Sequence, residues 1–276
     1  MAETSGLLNR RTTQVVPRVR IPLSPPLFSI MTKLEEQNFL DKMHSGLKIN
    51  DYLNGLFAER LIGPIDFLAL VNYCQKKTQT HIPPFKSFRR IERLWIVLNY
   101  FIFSLNQSNG PIAECGVFRG FTSLAINILQ NEIKKIKNVP QKDIWMIDSY
   151  EGLSEPVEED ETNFKKGFFA TPLEKVEILF KGATNCHFAK GWIPKVFEKL
   201  PETNWSLVHI DVDLYEPIYE SLNYFFPRMS ENGVIINDDF DSALFPGARK
   251  SWDKFFSEKN LKYAILDTGQ AVFINN

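Results

Sequence analysis

The sequence predicts an α/β fold: a doubly wound, mostly parallel sheet with helices on both faces, an antiparallel last strand, and a helical cap ahead of it. Three observations carry this. From residue 110 onward, short strand-like runs alternate with longer stretches of helical period, as in a parallel sheet. At the end, the runs Tyr263 to Leu266 and Ala271 to Ile274 are joined only by Asp267-Thr268-Gly269-Gln270, a link short enough to force a hairpin. Between Met31 and about Asn109, apolar residues recur at three- and four-residue intervals.

The first thirty residues stand apart. They carry Arg10, Arg11, Arg18 and Arg20 with no acid after Glu3, then Pro22, Pro25 and Pro26, and they lack the amphipathic period of a transit peptide. Val19-Arg20-Ile21-Pro22 is what the T-arm of a transfer RNA gene encodes when read as protein. Residues 1–30 are therefore expected to be a non-native or disordered extension, with Met31 as the native start.

Residues 31–109 read as the helical cap, with helices over Leu34 to Met43, Ile65 to Gln75 and Phe88 to Leu105. Gly63-Pro64 and Pro83-Pro84 break them. Phe85, Phe88, Trp95, Tyr100, Phe101 and Phe103 are assigned to core packing. Lys86, Arg89, Arg90 and Arg93 are assigned to a solvated helix face or a subunit contact in a homo-oligomer.

Residues 110–276 supply strands at Ile112 to Val117, Ile144 to Ser149, Cys186 to Ala189, Leu207 to Asp213 and Val234 to Asn237. Helices are expected at Phe121 to Ile136, Leu173 to Phe180 and Ala248 to Ser257. A last strand antiparallel to its neighbour is the mark of the methyltransferase version of the Rossmann-like fold, as against an all-parallel dinucleotide domain.

Composition narrows the function. The 276 residues are 44% hydrophobic and balance 32 basic against 33 acidic groups, so the net charge of -1 offers no basic field for nucleic acid or anionic lipid. The apolar stretch Leu94 to Leu105 is too short to span a bilayer. Cys74, Cys115 and Cys186 form no disulfide framework, and with no membrane segment the expected location is cytoplasmic.

Two segments carry the chemistry. His209-Ile-Asp-Val-Asp-Leu-Tyr-Glu216 and Val234-Ile-Ile-Asn-Asp-Asp-Phe240 are apolar runs that end in carboxylates, so Asp211, Asp213, Asp238 and Asp239 are expected to converge at two strand ends. Gathering that much negative charge calls for a cation, and oxygen ligands fit a hard metal; solvated aspartates at strand ends are the alternative. On the strand, Asp211 and Asp213 lie two apart and share a face while the extended geometry lasts. His209 reads as a core histidine or a group behind the aspartates, and His187 as a core histidine.

The first strand runs into Glu114-Cys-Gly-Val-Phe-Arg-Gly120, where small residues let a ligand approach the backbone. Phe118 stands where a dinucleotide fingerprint has its middle glycine, which weakens a phosphate-cradling reading. Glu114 suits a cationic or amine-bearing ligand, and Asp148, ending the second strand, can accept both hydroxyls of a ribose. Gly116 and Gly120 serving only a tight turn is the competing reading.

In order, Ile-Ala-Glu-Cys-Gly-Val-Phe-Arg-Gly, Ile-Asp-Ser-Tyr-Glu-Gly-Leu, Asp-Val-Asp-Leu-Tyr-Glu and Asn-Asp-Asp-Phe resemble the macrocin O-methyltransferase (TylF-like) family of class I S-adenosylmethionine-dependent methyltransferases. The resemblance covers roughly Phe88 to Ala271. It implies S-adenosylmethionine as donor, magnesium as metal, and as acceptor a hydroxyl, usually on a sugar of a natural product. It also implies that Asp211, Asp238 and Asp239 hold the metal, that Asp213 is the base, and that Glu114, Gly116, Arg119, Gly120, Thr122, Asp148 and Ser149 surround the donor. Lys165 to Thr171 resembles the family's mobile loop. A catechol-type methyltransferase and a non-catalytic binding module are the rival functions.

Overall fold

The computed structural model describes residues 60–80, 87–137 and 139–276. The extension 1–30, the helix Leu34 to Met43, Phe85, Lys86 and the side chains of Phe88 and Arg89 lie outside the described residues. A short hairpin of β1 (Leu61–Ile62) and β2 (Ile65–Asp66) leads into α1 (Phe67–Thr78), where Asp66 accepts from the Ala69 N–H at 2.7 Å as N-cap. The helix expected from Ile65 thus starts two residues later, because Ile65 and Asp66 pair with β1. Next comes α2 (Ser87–Gln107).

The main body follows as β3 (Ile112–Cys115), α3 (Phe121–Lys137), β4 (Ile144–Asp148), α4 (Leu173–Glu177), β5 (Cys186–Lys190) and β6 (Trp205–Ile210). It ends with α5 (Tyr215–Phe225), β7 (Met229–Asn237), α6 (Pro246–Glu258), β8 (Ala264–Ile265) and β9 (Ala271–Ile274). In α5, Pro217 sits in the first turn, where no intrahelical partner for its nitrogen is needed.

Seven strands form one sheet in the order β5-β4-β3-β6-β7-β9-β8. The pairs from β5 across to β7 are parallel, and β9 runs antiparallel to both β7 and β8. The chain first moves outward from β3 to β5 and then returns to the other side of β3, so the strand order reverses between β3 and β6. A crevice at the carboxyl ends of the strands is the consequence.

Side chains alternate between two cores, as the strand period requires. One face, with Ile112, Met146, Leu207 and Ile236, packs against Leu94, Val97, Leu98 and Phe101 of α2 and Ile126 and Leu129 of α3. The other, with Cys115, Ile147, Val208 and Ile235, packs against Leu222 and Phe225 of α5 and Trp252 and Phe256 of α6. α2 therefore shares a core with the sheet. Trp95 and Phe101 are buried, as core packing requires, and Phe67 meets the Trp95 ring edge-on at 4.8 Å. Among the described residues, no helix is long and apolar enough to cross a membrane.

Candidate active site

Five parallel strands, β5, β4, β3, β6 and β7, deliver their carboxyl ends to one cleft of about 1030 Å3. At the end of β3, Gly116 has φ +87°, and a Cβ there would lie 1.8 Å from the carbonyl oxygen of Asp211. The turn must therefore be glycine because it crosses directly over the end of β6. Gly120 packs against Val176 and Phe180, which leaves it no room for a side chain. Thr122 lines the cleft. Arg119 ties the turn to α1, donating to the Gln79 carbonyl while its guanidinium sits 5.2 Å over the Phe118 ring.

Asp148 fastens this turn. One carboxylate oxygen accepts from the N–H groups of Val117 (2.7 Å) and Phe118 (3.0 Å), and the other from Tyr150 N–H (2.6 Å) and, weakly, the Ser149 hydroxyl (3.4 Å). A carboxylate has about four acceptor positions, so the backbone N–H groups leave at most the place of the long Ser149 contact open, one position where accepting both hydroxyls of a ribose needs two. Ser149 itself donates to the Gly152 carbonyl at 2.8 Å and shapes the turn after β4.

The aspartates do converge. Carboxylate oxygens of Asp211, Asp213 and Asp239 all lie within 4.8 Å of one another, as do donor atoms of His209, Asp211 and Asp238. The means differs from the expectation, because β6 ends at Ile210 and no strand face carries Asp213. Instead, Leu214 N–H bonds back to the Val212 carbonyl at 2.6 Å, forming a γ-turn centred on Asp213, whose φ is +61°. Asp160, the buried last residue of a 3-10 turn (Glu158–Asp160), accepts from Tyr215 N–H at 2.6 Å and anchors the start of α5 just beyond the γ-turn.

Arg93 corrects the reading of the basic helix face. Arg90 is exposed, but the Arg93 side chain is only 14% exposed, and its Nη1 lies 3.0 Å from Asp238 and 3.2 Å from Asp239. Arg93 precedes Leu94 and Val97 on the helix face that lines the cleft, a placement hidden in the sequence by the basic run around it. Behind the aspartates, His209 is fully enclosed, with Nε2 3.3 Å from Asp238 and Nδ1 3.4 Å from Glu114, whose other oxygen accepts from the Ser123 hydroxyl. Glu114 is thus occupied within a buried network and is only 2% exposed. Gln270, on the turn before β9, donates to Asp238 at 2.7 Å.

Charge is unevenly distributed across this cluster. Burial pushes Asp211 and Asp213 well above the usual carboxylate range, and the facing carboxylates of Asp238 and Asp239 push the same way. Burial also acts upward on Asp238, but the His209 hydrogen bond and the Arg93 guanidinium outweigh it and bring it to about 2. For His209, burial acts downward, and the contacts with Asp238 and Glu114 carry it well above the ordinary imidazole value. Asp239 Oδ2 is buried without a hydrogen-bond partner. An all-oxygen set with an unpartnered buried acceptor fits a hard divalent cation.

Aromatic side chains form the outer wall. Phe164 stacks on Phe245 at 4.9 Å, and Phe169, from the segment likened to a loop over the site, meets Phe118 at 5.9 Å. His187 lies elsewhere, partly exposed on β5 and stacked on Trp145 at 4.8 Å. Cys115 is buried, and burial pushes its thiol upward, which leaves it unsuited to nucleophilic attack.

Fold and crevice together define a methyltransferase-type α/β domain. The O-methyltransferase NovP matches with a TM-score of 0.56 at 20% identity over 69% of this chain and 81% of that one. CalS11, a calicheamicin methyltransferase, matches with a TM-score of 0.58 at 18% identity over 75% and 91%. The chain belongs to the macrocin O-methyltransferase (TylF) family, whose model matches residues 89–274. Among relatives, the 8-demethyl-8-(2,3-dimethoxy-alpha-L-rhamnosyl)-tetracenomycin-C 4'-O-methyltransferase of Streptomyces olivaceus is 27% identical over 142 residues, 48% of this chain and 53% of that protein. The demethyldecarbamoylnovobiocin O-methyltransferase of Streptomyces niveus is 25% identical over 173 residues, 59% of this chain and 62% of that protein. The chain thus spans between half and two thirds of the length of these relatives.

Proposed function

We propose that this chain is an S-adenosylmethionine-dependent, magnesium-dependent O-methyltransferase acting on a sugar hydroxyl of a natural product. Residues 110–276 form its catalytic domain and residues 31–109 its cap. The observation that carries the reading is the meeting of the glycine turn at Gly116 with the carboxylates of Asp211, Asp213 and Asp239 in one cleft. Family membership and the printed substrates of the relatives support the acceptor class.

In this reading the turn from Glu114 to Gly120, with Thr122, Asp148 and Ser149, holds the donor. When bound, S-adenosylmethionine supplies an activated methyl group, so the protein's task is to align the acceptor oxygen with it. Asp211, Asp238 and Asp239 would hold magnesium, which supplies positive charge against the negative charge developing on that oxygen. Asp213 takes the hydroxyl proton, and its raised proton affinity is in the direction a base needs. The aromatic wall of Phe164, Phe169 and Phe245 excludes water from the acceptor side.

The test offers a panel of glycosides and catechols with methyl-labelled S-adenosylmethionine and follows methyl gain by mass spectrometry. Transfer to a glycoside in magnesium that stops in chelator is expected. Transfer to catechols alone would move the acceptor class, and full activity in chelator would remove the metal. A chain that fails to bind S-adenosylmethionine in calorimetry would be a binding module.

A further inference from the structure

The buried face of α2 carries a fixed positive charge into the aspartate cluster. The Arg93 guanidinium contacts Asp238 Oδ2 at 3.0 Å and Asp239 Oδ1 at 3.2 Å, while its Nε donates to the Thr268 carbonyl at 3.3 Å. Held by these contacts and only 14% exposed, it is an anchored group and not a swinging surface arginine. It occupies two of the carboxylates assigned to magnesium. Asp239 Oδ2, with no partner of its own, is what it leaves.

We propose that Arg93 is a built-in counter-ion that shares Asp238 and Asp239 with the divalent cation and lowers the site's affinity for it. The inference rests on the cation reading of the cluster. Like charges brought to the same buried carboxylates repel across a short, poorly screened path, so each positive charge weakens the hold on the other. Removing Arg93 need not disorganise the ligands. Asp238 remains fixed by Gln270 at 2.7 Å and His209 at 3.3 Å, and the Asp239 N–H remains bonded to the Asn237 side chain at 3.1 Å. The expected effect of losing the charge is therefore tighter binding of the cation.

Mn2+ added to the full chain and followed by electron paramagnetic resonance reads this without catalysis, with Asp211→Asn defining the part of the signal that belongs to the cluster. Arg93→Gln should bind Mn2+ at least about tenfold more tightly than wild type, the scale of one nearby charge acting on a dication when screened as in bulk water, with weaker screening enlarging the gain. Arg93→Lys keeps the charge but loses the fork, and should stay within about threefold of wild type. Equal or weaker binding in Arg93→Gln would overturn the inference while leaving the cation site standing. Should Arg93→Gln not fold, Arg93→Lys decides, since a large loss of affinity there would mean that the guanidinium orients the ligands for the ion. If neither wild type nor variants show Mn2+ binding sensitive to Asp211→Asn, the cation reading falls, and this inference with it.

Discussion

Gly116→Ala tests whether the donor turn and the aspartate cluster are mechanically one object. The new Cβ would lie 1.8 Å from the Asp211 carbonyl oxygen, where ordinary contact begins at 3.4 Å, and it would sit at φ +87°. Holding an L side chain in that backbone region costs about 1–2 kcal/mol. Overpacking a buried contact adds about 1–3 kcal/mol, and the carbonyl must retreat by roughly 1.5 Å. Together these come to about 2–5 kcal/mol and predict a fall in melting temperature of about 4–20 °C at about 2–4 °C per kcal/mol. Because the displaced carbonyl belongs to Asp211, Mn2+ affinity should fall with S-adenosylmethionine affinity, and methyl transfer should drop by about 10²-fold or more. Gly182→Ala is the control: its φ is also +87°, but nothing lies within 4 Å of the added Cβ, so it carries the backbone cost alone. Thermal unfolding and the two titrations on both variants separate strain from collision. A Gly116→Ala protein that melts like Gly182→Ala and binds Mn2+ like wild type would refute the coupling.

Three further outcomes are expected. Asp213→Asn keeps the shape and tolerates φ +61°, so turnover should fall by roughly 10²–10⁴ with donor binding intact; turnover near the wild-type rate at saturating donor and metal would reject Asp213 as base. Asp148→Ala strips acceptors from the N–H groups of Val117, Phe118 and Tyr150, so stability should drop by about 2–4 kcal/mol while S-adenosylmethionine binds more weakly; an unchanged denaturant midpoint would mean that the turn holds itself. For pH, the folded values of Asp211 and Asp213 lie above 3.8, so without divalent cation their contribution is complete below that pH and is lost as pH rises through the folded values. Asp238, held at about 2, works the other way and loses its contribution only as pH falls below 3.8 toward 2. Melting curves in chelator should therefore decline upward of pH 3.8, less steeply in Asp213→Asn, and a slope unchanged by that substitution would exclude this origin.

What the sequence made legible is what repeats along the chain. β6 is buried at every residue from Trp205 to Ile210, which is why a strand was legible from Leu207 onward despite His209, and the short link after β8 forced the antiparallel β9. The four aspartates were visible because their acidity breaks off two such runs. What stayed hidden is the contact between distant segments. Arg93 lies 145 residues from Asp238 in sequence, and its place in a basic run resembles any solvated helix face. Gln270 and Asp160 gave no periodic signal, since the bonds that matter, to Asp238 and to Tyr215 N–H, join segments brought together only by tertiary packing. The γ-turn at Asp213 was hidden too, because backbone hand is not written in an aspartate that tolerates both.

Hydrogen bonding divides the acids of this site into two kinds. Glu114 and Asp238 are filled, by the Ser123 hydroxyl with the His209 ring 3.4 Å away in one case and by His209, Gln270 and Arg93 in the other. A filled carboxylate fixes geometry and is held to its charge, as the depressed value of Asp238 reflects. Asp211, Asp213 and Asp239 instead crowd one another, with carboxylate oxygens within 4.8 Å, and Asp239 Oδ2 has no hydrogen-bond partner. Their mutual repulsion is relieved by protons at low pH or by a cation at higher pH, so the same crowding that destabilises the empty cluster is the driving force for loading it. The first set is built before any ligand arrives, so Asp238 is already in place when it meets a cation; the second is rearranged when one arrives. An enzyme that must hold a metal ion yet release a proton from its acceptor needs both kinds at adjacent positions, and Asp238-Asp239 supplies one of each in consecutive residues.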